Sequence, residues 1–318
     1  MLKSLLISSI ALLAVATTAR AEFPEKPIVV NGCQPAGGGN DRNLQALLPF
    51  VDEALGQPMI AQYRPGAGGT LAMRELAGAT PDGHTLVVCD PGGSIFGPIA
   101  QNLSMQAHDF VPVARLAFIP WVLTVRTDAP YATAEELIEA ARAAPGTIDA
   151  PVADIASADH YVWLRLTKET GLGAAAFRWV PHGGGAAKMR AILAGESQFD
   201  MLLPSLIRQP MAEGTLRPVA VASAERIAEF PDTPTFTELG IDMVEGLTIS
   251  LFAPAGLPND VRAKLESGLM SIKEKPEFQT VYANFGQNLD GFISGTDYQP
   301  EWEETWGQAA DLLREVTQ

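Results

Sequence analysis

The 318-residue chain is short of the residues on which most enzyme centres and nucleic-acid interfaces are built. It has two cysteines and four histidines, and 22 lysines and arginines against 37 acids, for a formal charge of −15. That balance argues against a nucleic-acid partner, whose binding depends on Lys and Arg neutralising phosphates. His84, His108, His160 and His182 are scattered, without H-E-x-x-H or comparable zinc spacing, so no metal is expected. No G-x-x-x-x-G-K-[ST] loop occurs, and in "GAGGTL" Leu71 holds the place of the third glycine of a dinucleotide fingerprint. No cofactor is therefore expected. Ser94, in "GGSIFG", lacks the G-x-S-x-G elbow that would make it a nucleophile. Asp41, Asp90 and Asp200 are read as helix caps or turn formers, not as a catalytic carboxylate pair.

Long apolar runs are equally scarce, and the one that stands out lies at the start. Met1-Leu-Lys supplies a positive charge, "LLISSIALLAVA" an apolar stretch, and "ARA" a small-x-small site. This is the pattern of a secretory signal peptide, 1–21, cleaved after Ala21. It is too short for a spanning helix, which needs roughly 20 apolar residues. The expectation is an exported, periplasmic chain of 297 residues. Losing Lys3 and Arg20 takes the charge to −17. A chain of that length usually divides its core between two domains. Its acidity does not exclude an anionic ligand, because distant charge is screened within about 8 Å at physiological salt.

What the chain has in abundance is glycine at the ends of strand-like runs. "PIVVN" leads through "GCQPAGGGND" into a helical pattern with Leu44, Leu47, Leu48, Val51 and Leu55 on one face, interrupted by Pro49. "QPMIAQY" ends in "RPGAGG" before another helix, and "TLVVC" ends in "DPGGS". Similar alternation continues through "FRWVPHG", "GGAAKMRAILAGE", "FDMLLPS" and "TLRPVAVAS". This is α/β architecture, with parallel sheets expected. Two apolar extended runs, near 119–126 and 246–254, are suited to crossing between two lobes. Loops at strand ends would then line an interlobe cleft.

Three glycine turns, Gly37-Gly38-Gly39, Pro91-Gly92-Gly93-Ser94 and Gly183-Gly184-Gly185, each follow a strand and precede a helix. Backbone N–H groups at a helix start, with the helix dipole behind them, suit an anion, and glycine lets it approach. The alternative is that they are only tight turns. Cys33 and Cys89 close two strand-like runs. Were those strands neighbours, the sulfurs would share one sheet end, and export admits either a disulfide or two buried thiols.

These segments resemble the Bug-type, or TctC-like, periplasmic receptors of tripartite tricarboxylate transporters over essentially the whole mature chain. "FPEKPI", "PAGGGND", "LGQPMIAQYRPGAGGTLA", "TPDGHTLVV", "DFVPVARL", "TAEELIEAARAAPGTI", "LRPVAVASAER", "FPDTPTFTELG" and "FAPAGLPNDV" follow in the family's order. The resemblance implies a two-lobed type II periplasmic-binding-protein fold with crossing hinge strands and an interlobe cleft. It also implies a receptor without enzymatic activity that captures a small organic acid or amino-acid-like ligand and passes it to membrane permease subunits. Lobe I is expected to comprise 22–122 and 250–318, and lobe II 123–249, in a monomer. The expected ligand contacts are Ala36, Gly37, Gly38, Gly39, Asn40, Asp41, Gly92, Gly93 and Ser94 on one lobe. Ser157, His160, His182, Gly183, Pro204 and Ser205 are expected on the other, with Phe96 and Tyr161 as walls.

The chain departs from the family's pattern in places. "DIASADH" carries Asp154 and Ala156 where relatives have glycines, and Asp154 would repel a simple dianion. "PHGG" sets His182 and Gly183 in place of Tyr and Lys. Arg64, a candidate carboxylate clamp, is assigned instead to pairing within its turn. Two other outputs share these features: a sensor that signals to a membrane kinase, and a secreted hydrolase using Asp41, His160 or His182.

Overall fold

The structure is a computed structural model and describes residues 22–284 and 289–317; the expected signal segment lies outside them. Three strands open the fold: β1 (Ile28–Gly32), β2 (Met59–Tyr63) and β3 (Thr85–Cys89). They pair in parallel with β1 in the middle, joined by α1 (Gly39–Leu55) and α2 (Thr70–Ala77). In α1 the residues Leu44, Leu47, Val51 and Leu55 are buried, as their spacing predicts, and Pro49 lies on its exposed face. The helix runs past that proline and stops at Gly56, in the left-handed conformation.

After the short α3 (Gly97–Ala100), β4 (Phe110–Pro120) and β5 (Val122–Arg126) form one nearly continuous run, with Trp121 between them. β4 belongs to a six-stranded sheet and β5 to a three-stranded one, so the chain crosses between sheets at Trp121. On the far side come α4 (Ala134–Ala143), β6 (Ile148–Val152), α5 (Ala158–Glu169), β7 (Phe177–Pro181) and α6 (Gly185–Ala194). β8 (Phe199–Leu202), α7 (Pro204–Ala212) and β9 (Leu216–Val221) complete that half. The chain returns through β10 (Gly246–Pro254), α8 (Asn259–Lys273), α9 (Pro276–Asn284), β11 (Ile293–Ser294) and α10 (Gly295–Thr317).

The strand order is β11-β4-β10-β3-β1-β2 in the larger sheet and β8-β5-β9 in the smaller, with β6 and β7 as a separate parallel pair. The expectation of parallel sheets holds for β1, β2 and β3 and for β6 and β7, and fails at the centre. β10 runs antiparallel to both β3 and β4, and β5 antiparallel to β8 and β9. The reason is the crossing itself: a strand that leaves a sheet and a strand that comes back must run in opposite directions side by side. At the crossing, Trp121 N–H donates to Glu245 O (3.1 Å), Ala222 N–H to Trp121 O (2.8 Å) and Glu245 N–H to Ala222 O (3.0 Å).

One face of the larger sheet packs Ile28, Val30, Leu86, Val88 and Leu251 against α1, α8 and α9. The other face belongs to a core that continues into the second half through Phe96, Tyr161, Trp163 and Phe199. Trp302 of α10 packs against Phe252 (ring centroids 4.7 Å) and edge-on against Trp306 (5.3 Å), and Trp163 against Phe177 (5.4 Å). Each such ring contributes roughly 1.5–3 kcal/mol by burial. Trp121, Trp163, Trp302 and Trp306 are buried as expected of core residues, whereas Trp179 is half-buried against His160.

Candidate ligand site

The turns after β1, β2 and β3 meet at one end of the larger sheet. Gly32 lies opposite Val88 in the parallel register, so the next residues, Cys33 and Cys89, are neighbours. The structure joins them in a disulfide with Cα atoms 5.3 Å apart. Above it, Asn40 Nδ2 donates to Asp90 Oδ2 (2.8 Å), and Asp90 Oδ1 accepts from Gly92 N–H (2.9 Å). Burial pushes the Asp90 carboxyl above the usual range, against the pull of these bonds. Asp41 accepts from Gly37 N–H (2.6 Å), Tyr63 O–H (2.5 Å) and Gln45 Nε2 (3.2 Å). Burial opposes its ionisation, but those three bonds prevail and hold its carboxyl low. Ser94 is buried and donates to Asp90 O (2.9 Å). The side chains of Asn40, Asp41 and Ser94 are thus committed to shaping the turns.

The glycines divide into two kinds. A methyl group on Gly93 would lie 2.6 Å from Cys89 Sγ and 2.9 Å from the Gly69 backbone, so this glycine admits another piece of chain. Gly37 has φ +83° and nothing within 4 Å of its missing side chain; Gly39 meets only Ile249 Cδ1, at 3.7 Å. Ala36, Gly37 and Gly39 are exposed. The open backbone of this cluster is therefore the β1–α1 turn, and the 92–94 turn lies packed beneath it.

A second cluster forms where β6, β7 and β8 end. His182 N–H donates to Val152 O (2.9 Å) and Gly183 N–H to Ala153 O (3.0 Å), lacing two turns together. A methyl group on Gly185 would lie 2.9 Å from Leu206 Cδ1, which brings in the start of α7. Ser157 caps α5, its Oγ accepting from His160 N–H (3.4 Å) and lying 2.6 Å from Asp159 Oδ1. Pro204 is buried in the first turn of α7, and Ser205 is exposed beside it. Asp154 is exposed, and its Oδ1 accepts from Ile155 N–H (2.8 Å).

His160 is fully buried, and its Nδ1 accepts from Ala156 N–H (2.9 Å). Burial lowers its pKa to about 4, so the ring is neutral and carries its proton on Nε2. Its structural work is to close the turn before α5. His182 is half-buried, so its ring keeps a face toward solvent at the turn.

Residues 45–295 match the tripartite tricarboxylate transporter family receptor, TctC. The chain belongs to that family. It is 31% identical to a UPF0065 protein of Bordetella pertussis over 287 residues, which span 88% of this chain and 87% of that one. The ligand-free TctC solute-binding protein from Polaromonas superposes with a TM-score of 0.81 at 24% identity, over 92% of this chain and 99% of the other. MatC from Rhodopseudomonas palustris, with bound malate, superposes at 0.68 with 25% identity, over 92% and 100%. These likenesses establish the two-lobed α/β fold of periplasmic solute-binding proteins, and the family is one of substrate-binding receptors.

In this receptor the two halves also line a partly open cavity of about 130 Å³ beside the crossing, walled by Phe96 and Tyr161 (ring centroids 4.9 Å) and by Trp121. None of the expected contact residues lines it. It is acidic: Glu245, Glu301 and Glu304 face it, against one lining cation, Arg165. Arg165 is shared between Glu245 and Glu169, each at 3.0 Å, and Tyr161 O–H lies 3.2 Å from Gln308 Oε1. Burial pushes Glu245 up to about 7.

Sequence reasoning missed Lys188 and Asp159 and misread Asp200; all three are buried and organise the second cluster, and Asp200 lies within β8 paired with Lys188, not at a cap or turn. A signal was present. Lys188 stands three and four residues before the buried Ala191 and Ile192, which puts a cation on the apolar face of α6. Among the described residues, no group of three or more His, Cys, Asp and Glu is placed to hold a metal ion.

Proposed function

We propose that this receptor captures a small carboxylate between its two turn clusters in the periplasm and hands it to the membrane permease subunits of a tripartite transporter. One observation carries the reading. Each half presents helix starts behind open glycine backbone, α1 behind Gly37 and Gly39 and α6 behind Gly184, in a family whose member MatC holds malate. The first amides of a helix have no acceptor within it, and the dipole adds positive potential there, so a carboxylate can be met without a cationic side chain.

On this reading Ala36 and Gly38 to Asp41 serve the ligand mainly through backbone N–H groups, and Gly37, whose N–H is held by Asp41, opens the turn for it. Ser157, His182, Gly183 and Ser205 serve it from the other half. Gly92, Gly93, Ser94, His160 and Pro204 act one layer back by shaping the turns. Lobe I is then 22–120 with 246–317 and lobe II 122–245, a few residues from the expected bounds because β5 begins at Val122 and β10 at Gly246, with hinges at Trp121 and Glu245. Segment 1–21 is the export signal, and the mature chain works as a monomer. Closure excludes water and strengthens each hydrogen bond in the lowered dielectric.

The test is a thermal-shift and calorimetry panel on the purified mature chain: malate, other di- and tricarboxylates, acidic amino acids and aromatic acids. Binding stabilises by mass action, about 2.7 kcal/mol at a hundredfold excess over Kd. A flat response to the whole panel at millimolar concentration, with conversion of none of the compounds, would refute a carboxylate receptor. Turnover of any of them would replace it with an enzyme.

A further inference from the structure

We infer that Lys188 is the positioning residue of the second turn cluster, fixing the turn before α5 and offsetting the Asp159 charge that would otherwise oppose an anion there. The inference rests on the reading of the two clusters as the ligand site, and it deepens that reading. Lys188 is 3% exposed, and its ammonium has three neighbours: Asp159 Oδ2 at 2.7 Å, Asp200 Oδ1 at 2.9 Å and Met201 O at 3.0 Å. An ammonium has three donors, so all are engaged. Those acceptors come from α5 and β8, and Lys188 itself from α6, so one side chain ties three elements.

The link toward the ligand runs through Asp159. Its Oδ2 also accepts from Ala153 N–H (2.8 Å), and its Oδ1 lies 2.6 Å from Ser157 Oγ. The carboxylate thereby holds both ends of the 153–157 turn and orients the capping hydroxyl of α5. Asp159 stands in the first turn of α5, where an uncompensated carboxylate would occupy the positive end of the helix and oppose a ligand anion. Paired with Lys188, it points inward and is neutralised. Asp200 is fully buried, and its Oδ2 has no hydrogen-bond partner among the described residues. Burial works to lower the Lys188 pKa, but the two aspartates outweigh it and keep it charged.

A buried ion cluster is a poor source of net stability, since apolar residues of equal volume often do as well. Its use here is directional: three charged hydrogen bonds have one geometry, whereas an apolar side chain would let the turns settle independently.

The experiment uses the full mature chain and two readouts: amide exchange, which needs no ligand, and calorimetric affinity for malate. Lys188→Met should speed exchange at least tenfold in peptides covering 153–160 and 183–187, leave those covering 33–41 and 89–94 unchanged, and weaken malate at least tenfold. Asp200→Asn keeps the Lys188–Asp159 contact and should hold malate affinity within threefold. If Lys188→Met does not fold, Lys188→Met with Asp200→Asn removes one of the two buried carboxylates left without their cation and is measured instead. Unchanged exchange at 153–160 in a folded Lys188 variant overturns the inference, and so does an equal rise in both clusters, which marks a general loss of stability. A wild-type protein that binds no carboxylate overturns the receptor reading, and the exchange arm still decides the positioning role.

Discussion

Replacing the Cys33–Cys89 bridge by two alanines should cost this protein about 4 kcal/mol, because the bond closes a loop with a sequence separation of 56. In the chain-entropy account, a 15-residue loop is worth about 3 kcal/mol and a 100-residue loop about 4.7. The native side of the balance changes little. β1 and β3 are already paired through Gly32 and Val88, and Cys33 N–H donates to Val88 O at 3.1 Å, so the ladder holds both positions without the sulfurs. The constraint therefore acts mainly on the unfolded chain. In a unit of 150–250 residues each kcal/mol moves Tm by roughly 2–4 °C, which puts the variant roughly 8–16 °C below wild type. Scanning calorimetry of both proteins, with intact mass after alkylation before and after reduction, supplies the measurement. A variant melting within a degree of wild type would refute the reasoning, and two alkylated thiols in the unreduced native protein would remove its premise.

Three further outcomes follow from particular contacts. Gly93→Ala sets a methyl 2.6 Å from Cys89 Sγ and 2.9 Å from the Gly69 backbone, so urea unfolding should show a loss of about 1–3 kcal/mol; an unchanged midpoint would mean that the turns can part freely. Glu245, pushed up to about 7 by burial from an ordinary 4.5, keeps a proton in the folded state that the unfolded state loses, so its contribution to stability falls as pH rises from about 4.5 to 7. Glu245→Gln should lose that slope and gain about 2–3 kcal/mol over wild type on going from pH 5 to pH 8, read as the difference between the two Tm curves; parallel curves would contradict it. Asp200, also raised to about 7, adds a slope of the same sign, and His160, lowered to about 4, adds the opposite slope between about 4 and 6.5. Both are common to the two proteins and cancel in that difference. Asp154→Gly removes an exposed carboxylate beside the second cluster and should tighten a dianion roughly threefold at low salt, with the gain fading as salt is added; equal affinities would place Asp154 away from the ligand.

Much of the framework was legible one segment at a time. The 3.6-residue spacing of Leu44, Leu47, Val51 and Leu55 marked the buried face of α1. The candidate site was legible only in outline. Glycine says that a side chain is not wanted, not what occupies the space: at Gly93 it is the Gly69 backbone, at Gly37 it is nothing in the protein. The spacing around His160 could not show a buried neutral ring, because the shift to about 4 comes from burial, with Trp179 of β7 against one side of the ring.

By itself, the sequence determined the local elements: which stretches are strands, where helices begin, and that glycine turns join them, since periodicity and capping act within one or two turns of chain. It also carried the family, through motifs spread in one order along the whole length. Tertiary structure decided the rest. The antiparallel centre depends on β10 returning beside β4, the Cys33–Cys89 bridge on the register of β1 with β3, and the Lys188 cluster on α5, α6 and β8 meeting at one point. Each joins residues far apart in the chain, and whether two such groups meet is a property of packing that no local pattern encodes.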